Sequence, residues 1–201
     1  MTSGLPVLAR RGLINTDIHR YSHRSALDQY EAQRVYHWAM SESAAEAGLR
    51  CEDWLRQAAG DGEFVVLPEG VHEPRIIGPL LTALAGRLRE YNRSRTDESR
   101  VRLRVAIHNG LIHLDGPTGY PGLGAVLVAR LLNSQDLREV LRQRPNVNLV
   151  AIVSREVYAD VVLNRYEGLR PELFRPVRVE EPGKNFAADA WIYAPEEDLT
   201  R

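Results

Sequence analysis

Apolar residues recur along this chain with two different periods, which predict helices alternating with strands. From residue 77 to residue 91 they follow the three- and four-residue spacing of one buried helix face. From residue 101 to residue 107 they alternate with polar residues, as in a strand. The same reasoning predicts helices over 25–48, 77–91, 123–133 and 154–163, with a further amphipathic segment to about residue 143, and strands over 11–18, 101–107, 147–153, 174–181 and 187–195.

Turn and capping residues mark where several of these elements begin and end. Ser25 is a plausible helix cap and Gly48 a plausible stop, and Leu27, Tyr30 and Trp38 are expected on the inner face of the helix between them. Gly60-Asp61-Gly62 predicts a β-hairpin over about 53–67, since an Asp-Gly pair between strand-like runs is a strong hairpin signal.

The order of elements predicts an α+β fold, a mixed and mostly antiparallel sheet with helices packed on one face. The chain shows no internal repeat, so we expect residues 1–201 to form a single domain.

Composition narrows the class of protein without naming a function. A net charge of −1 gives no reason to expect a nucleic acid as the main partner. No apolar run approaches the roughly 20 residues that span a bilayer, and the N-terminal segment has the reverse of a signal peptide's charge order. A single cysteine, Cys51, excludes an internal disulfide framework. We therefore expect a cytoplasmic protein that does not enter a membrane.

Two aspartates are candidates for a metal site. Asp17 follows apolar strand residues, where a carboxylate is costly to bury unless it is paired or binds a cation. Asp61 lies at the hairpin tip, and adjacent strands could bring the two carboxylates together, where a divalent cation would offset their repulsion. Each also has a structural explanation: Asp17 as the cap of a turn, Asp61 as a turn residue.

Arg130 is the third unusual residue. Its helix is apolar on nearly every side, and it shares a face with Val126 and Leu127. A guanidinium stays charged when buried and needs an anionic partner: a carboxylate, a helix end or a phosphate. A structural salt bridge would satisfy it.

Four motifs, in this order, resemble those of class III nucleotidyl cyclase catalytic domains, over about residues 10–195. They are "INTDIHRYS", "AAGDGEFVVLP", "LRVAIHNGLIHL" and "GLGAVLVARLL", and the first two place Asp17 and Asp61 a family-typical 44 residues apart. The resemblance implies the ferredoxin-like fold of those domains.

The resemblance also implies a reaction on a nucleoside triphosphate. Two divalent cations, Mg²⁺ or Mn²⁺, would be held by Asp17, Asp61 and the main-chain carbonyl of Ile18. The ribose 3′-oxygen would attack the α-phosphate and expel pyrophosphate, with Arg130 neutralising charge in the transition state. In such enzymes Arg130 would come from the opposite subunit of a head-to-tail homodimer.

Other positions depart from the family pattern. Val126 stands where active cyclases have the asparagine that orients the ribose. Gln57, and the region of Gly119 and Tyr120, replace the residues that read a purine base. Lys184 is either a phosphate contact or an exposed loop lysine.

Two functions remain open at this point. The first is an active cyclase whose base is unknown and is not necessarily a standard purine. The second is a degenerate cyclase-homology domain that binds a nucleotide or a protein partner as a regulator.

Overall fold

The structure is a computed structural model, which describes residues 7–200. Residues 1–6 and 201 of the predicted domain lie outside the described residues, and so does the start of the N-terminal segment. The described residues form a seven-stranded sheet in the order β2-β3-β1-β4-β5-β7-β6. The strands are β1 (Leu8–Ile18), β2 (Leu55–Ala58), β3 (Glu63–Val66), β4 (Leu103–His113), β5 (Leu149–Ser154), β6 (Arg175–Glu181) and β7 (Phe186–Tyr193).

The centre of the sheet is the long antiparallel pair of β1 and β4. Its register runs from Leu8 opposite His113 to Ile18 opposite Leu103. β4 and β5 are parallel, and the other neighbouring pairs are antiparallel. The predicted strand over 101–107 continues to residue 113 because β1 offers a hydrogen-bonding partner along its whole length.

The helices are α1 (Ala26–Glu46), α2 (Glu73–Arg75), α3 (Leu81–Asn92), α4 (Leu123–Leu132), α5 (Gln135–Gln143) and α6 (Arg155–Val157). A π-helical turn, Ile76–Leu80, joins α2 to α3. It contains Pro79, which lacks the N–H of a regular helical hydrogen bond, so a wider turn at this point is physically reasonable.

Helices cover both faces of the sheet, whereas the sequence predicted one covered face. The α+β class and the mostly antiparallel sheet are confirmed. However, α1 and α3 contribute to one apolar cluster, and α4 and α5 to a second. Leu13 and Ile14 of β1 are both buried and belong to different clusters. Because successive strand side chains point to opposite faces, such a strand requires cover on both sides.

Helix α1 begins and ends near the predicted residues but buries a different face. The Ser25 side chain accepts a hydrogen bond from the Asp28 main-chain N–H, and Gly48 has a φ of 68°. The expectation that Leu27, Tyr30 and Trp38 face inward is wrong, because they are 77%, 66% and 46% exposed. The buried face contains three alanines together with Tyr36 and Met40, and its full set is Ala32, Val35, Tyr36, Ala39, Met40, Ser43 and Ala44.

None of the helices between residues 7 and 200 is both long enough and apolar enough to cross a membrane.

Two substitutions in α1 test which face is buried. Met40→Ala should lower the free energy of unfolding by about 2–5 kcal/mol, because Met40 is buried and its loss leaves a cavity. Leu27→Ala should change it by less than about 0.5 kcal/mol, because Leu27 is exposed. Urea denaturation monitored by circular dichroism measures both, and equal effects would contradict the described orientation of α1.

Candidate active site

The turn between β2 and β3 is folded against β1. Asp61 donates its main-chain N–H to Ala59 O at 2.9 Å, and Gly60 has a φ of 75°, which favours glycine. A Cβ on Gly62 would overlap the main-chain carbonyl of Thr16, so only glycine fits there. Ile18 N–H then donates to the Asp61 carbonyl at 2.6 Å. The hairpin turn is thereby attached to the last residues of β1.

This attachment brings the carboxyl groups of Asp17 and Asp61 together. Burial raises the pKa of Asp17 above its ordinary value, and Arg104 opposes that shift. The charge and side-chain hydrogen bonding of Asp61 raise the Asp17 pKa further, as expected for two carboxyl groups on neighbouring backbone segments, since Ile18 N–H donates to the Asp61 carbonyl. The predicted proximity of the two aspartates is therefore present in the structure.

Arg104 is a direct partner of Asp17. It lies opposite Asp17 in the β1–β4 register, and its Nη2 and Nε are 2.7 and 3.0 Å from Asp17 Oδ1. Its Nη1 donates to the carbonyl of Leu132 at the end of α4, at 3.2 Å. Arg104 is only 7% exposed and is not among the residues predicted from the sequence. The signal that could have identified it is an arginine between the apolar residues Leu103 and Val105 of a predicted strand.

A buried polar network supports the turn from the opposite face of the sheet. The Glu63 carboxylate is 5% exposed, accepts from Tyr36 Oη at 2.5 Å and pairs with Arg56 through Nε at 2.7 Å. Tyr36 Oη is 2.8 Å from Thr16 Oγ1, which in turn accepts from the Glu63 main-chain N–H at 3.1 Å. The network links α1, β1 and the hairpin within two residues of both aspartates.

The predicted base-reading positions lie together. A Cβ on Gly119, which has a φ of 146°, would overlap the Gln57 side-chain oxygen, so the Gln57 amide occupies the space beside that glycine. Tyr120 contacts the ring of Phe64 with centroids 6.4 Å apart, and Phe64 is paired with Gln57 across the hairpin. Amide and aromatic groups thus form one cluster beside the hairpin that carries Asp61.

Arg130 and Lys184 form a separate group with one carboxylate between them. Arg130 Nε is 3.6 Å from Glu181, and its guanidinium lies over the Phe186 ring, 4.6 Å from the centroid. Lys184 Nζ is 2.7 Å from the same glutamate. The structural salt bridge considered for Arg130 is therefore present. The ion-pair partner of Asp17 within one chain is Arg104.

Val126 is 46% exposed, on the same helix as Arg130. Its side chain has no atom that could hydrogen-bond to a ribose.

The donor set at Asp17 and Asp61 fits a hard divalent cation. Between residues 7 and 200 there is no group of three or more His, Cys, Asp or Glu residues arranged to hold a metal. Two neighbouring carboxylates, beside the backbone of Ile18, are the oxygen ligands that Mg²⁺ accepts when substrate phosphates and water complete its shell. Both contacts of Arg104 fall on Oδ1 of Asp17.

Positive charge dominates the region just beyond β1. Burial, followed by the charges of Arg102, Arg104, Arg20 and Arg24, lowers the pKa of His19 to about 4. Four guanidinium groups therefore act on one imidazole at this end of the sheet.

Comparison with solved structures identifies the fold. The chain is similar to an adenylate/guanylate cyclase/hydrolase from Silicibacter pomeroyi, with 16% identity, a TM-score of 0.67, and 95% of this chain and 99% of that chain covered. It is similar to the adenylyl cyclase CyaB from P. aeruginosa, with 14% identity, a TM-score of 0.60, and 96% and 99% covered.

It is also similar to the guanylate cyclase domain of RhGC from Catenaria anguillulae in complex with GTP, with 15% identity, a TM-score of 0.58, and 92% and 96% covered. No protein-family model and no curated protein sequence matches the chain. The chain therefore has the nucleotidyl cyclase fold predicted from its motifs.

Gly62→Ala tests whether the close approach of the turn positions Asp61. The added methyl group would collide with the Thr16 carbonyl, so we expect a loss of about 1–3 kcal/mol in unfolding free energy. Gly183→Ala is the matched control, since nothing lies within 4 Å of a Cβ there. Chemical denaturation of both variants makes the measurement, and equal stability would show that the turn is not held against β1.

Proposed function

We propose that this chain is a divergent class III nucleotidyl cyclase that converts a nucleoside triphosphate into a 3′,5′-cyclic nucleotide and pyrophosphate. The observation that carries the proposal is the attachment of the Gly-Asp-Gly turn to the end of β1, which places Asp61 beside Asp17 on a cyclase fold. Two partly buried carboxylates repel one another, and a divalent cation between them would offset that repulsion.

Asp17, Asp61 and the carbonyl of Ile18 would hold two Mg²⁺ or Mn²⁺ ions. Bound metal would supply a lowered pKa for the ribose 3′-hydroxyl and positive charge for the triphosphate. Arg104 would keep the Asp17 carboxylate ionised and oriented through its Nη2 and Nε contacts. Arg130, with Lys184, would place positive charge against the phosphate as its negative charge grows.

Arg130 would act on the metal site of a second copy of the chain. Within one chain, Arg130 and Lys184 are gathered around Glu181, whereas Asp17 is gathered with Asp61 and Arg104. A head-to-tail homodimer would bring these two groups together twice, once at each site. Such a dimer also explains why an apolar helix displays a charged side chain at its end.

The Gln57 cluster would receive the base. An amide can both donate and accept hydrogen bonds, and Gly119 contributes no side chain of its own. Recognition therefore depends on one flexible amide and on the nearby Tyr120 ring, and it selects no particular base. The proposed substrate is therefore a nucleoside triphosphate of unassigned base, including bases other than a standard purine.

A regulator without catalytic activity is the second candidate function. Val126 favours it, because no group on its exposed side chain could orient a ribose hydroxyl. Such a domain would bind a nucleotide or a protein partner without forming product. For either function we propose a single cytoplasmic domain with no membrane or nucleic-acid partner.

Incubation with each of the four ribonucleoside triphosphates and Mn²⁺, followed by mass spectrometry, distinguishes the two candidates. We expect a cyclic nucleotide from at least one, reduced about 100-fold or more by Asp61→Asn, which keeps the size of the side chain and removes its charge. Leu27→Ala serves as an exposed control that should leave the rate unchanged. Nucleotide binding without any cyclic product would favour the regulator.

Mixing two inactive variants tests the shared site. Asp61→Asn and Arg130→Ala should each be inactive alone, because each removes one half of both sites of a homodimer. After subunit exchange in an equal mixture, about a quarter of the sites should be intact, and activity should return to about that fraction. No recovery, although heterodimers are seen by native mass spectrometry, would show that Arg130 does not act across an interface.

A further inference from the structure

A large cavity lies beyond the end of β1 and is rich in arginine. It has a volume of about 790 Å³, within the range of small-molecule sites. Its walls are the β1–α1 connection, the loop before β4 and the end of α5. Five arginines line it, against three acidic residues: Arg20, Arg24, Arg100, Arg102 and Arg142, against Asp28, Asp97 and Glu98. The whole chain, by contrast, carries a net charge of −1.

Two of these arginines have carboxylate partners. Arg100 is 3.1 Å from Asp97, which is itself 85% exposed, and Arg142 pairs with Glu139 on its own helix. The Nε of Arg100 is buried and has no hydrogen-bond partner within the described chain. Each of these two guanidinium groups therefore has one carboxylate partner.

The other three have no carboxylate within ion-pair distance among residues 7–200. Arg24 donates to the carbonyls of Glu98, at 3.2 Å, and of Arg100, and its buried Nε has no partner there. Arg102 donates to the carbonyls of Val147, at 2.7 Å, and Arg144, at 2.6 Å. Arg20 is exposed and lines the cavity. Main-chain carbonyls hold the guanidiniums in place but do not neutralise them.

This concentration of charge carries an electrostatic cost. Burial, followed by the charge of Arg100, lowers the pKa of Arg102 to about 10, and the charges of Asp97 and Glu196 oppose this shift only in part. An anion in the cavity would relieve the repulsion among half-buried guanidiniums, and the attraction would exceed that at an open surface, because the walls exclude part of the solvent. Arginines on several walls favour a ligand with more than one charge over a single carboxylate.

We propose that this cavity binds a free oligophosphate anion, such as inorganic pyrophosphate, at a site separate from Asp17 and Asp61. Neither aspartate lines the cavity, and neither does any residue of the Gln57 cluster. The positive charge comes from fixed side chains, so binding needs no divalent metal. The site is thereby distinguished from the phosphate chain of a nucleotide held through metal at the two aspartates.

Isothermal titration calorimetry with sodium pyrophosphate, in EDTA and low salt, tests the proposal. We expect saturable binding to the full chain that weakens as salt is added. Arg20→Gln and Arg102→Gln should each weaken it about threefold to tenfold, since each removes a charge facing the cavity. Arg138→Gln, an exposed arginine of α5 outside the cavity, should not change it. Asp61→Asn should also leave it unchanged.

Three outcomes would overturn the proposal. The first is no saturable binding in EDTA. The second is binding that Arg20→Gln and Arg102→Gln leave intact, which would place the anion elsewhere. The third is binding that requires Mg²⁺ or is lost in Asp61→Asn, which would assign the phosphates to the nucleotide site. Circular dichroism checks that each variant is folded. If Arg102→Gln does not fold, the Arg20→Gln variant alone decides the test, because Arg20 is exposed.

Discussion

The contact between Gly62 and the backbone of β1 is the constraint on which the candidate site depends. With any side chain at residue 62, the hairpin turn could not lie on the Thr16 carbonyl, and the Asp61 carbonyl could not accept from Ile18 N–H. The two carboxyl groups then would not meet. The Glu63 network fixes the same turn from the other face of the sheet, through Tyr36 of α1 and Arg56 of β2.

Charge balance explains how two acidic groups remain together in a partly buried place. Burial and Asp61 both raise the pKa of Asp17, whereas Arg104 lowers it. Arg104 is held in place on β4 and stays charged, so it offsets part of the repulsion between the two carboxylates. The remainder favours a divalent cation. On the same reasoning, the arginines that line the cavity beyond β1 favour an anion there.

Local sequence signals predicted the helices, strands and turns better than they predicted how these elements pack. The capping Ser25, the Gly-Asp-Gly turn and the apolar stripe of α3 depend on neighbours along the chain, and all three are present. The inner face of α1 was predicted wrongly, because the largest apolar side chains were expected inside, whereas the buried face is centred on alanines together with Tyr36 and Met40. Cover on both faces of the sheet follows from pairing that no single segment reveals.

The site was predicted in part for the same reason. Asp17, Asp61, Gln57 and Gly119 were found through motifs, and the structure places them in two adjacent clusters. Arg104 and Glu181 were not found, because each is a partner across strands or between a helix and a hairpin. Such partners depend on register, which a single sequence does not state.

A crystal structure with Mn²⁺ and a slowly reacting nucleoside triphosphate analogue tests the central claim most directly, because the anomalous signal of Mn²⁺ locates the metal. The account predicts anomalous peaks within about 2.5 Å of carboxylate oxygens of both Asp17 and Asp61. A well-ordered nucleotide with no metal at these two aspartates, or with metal bound elsewhere, would contradict it.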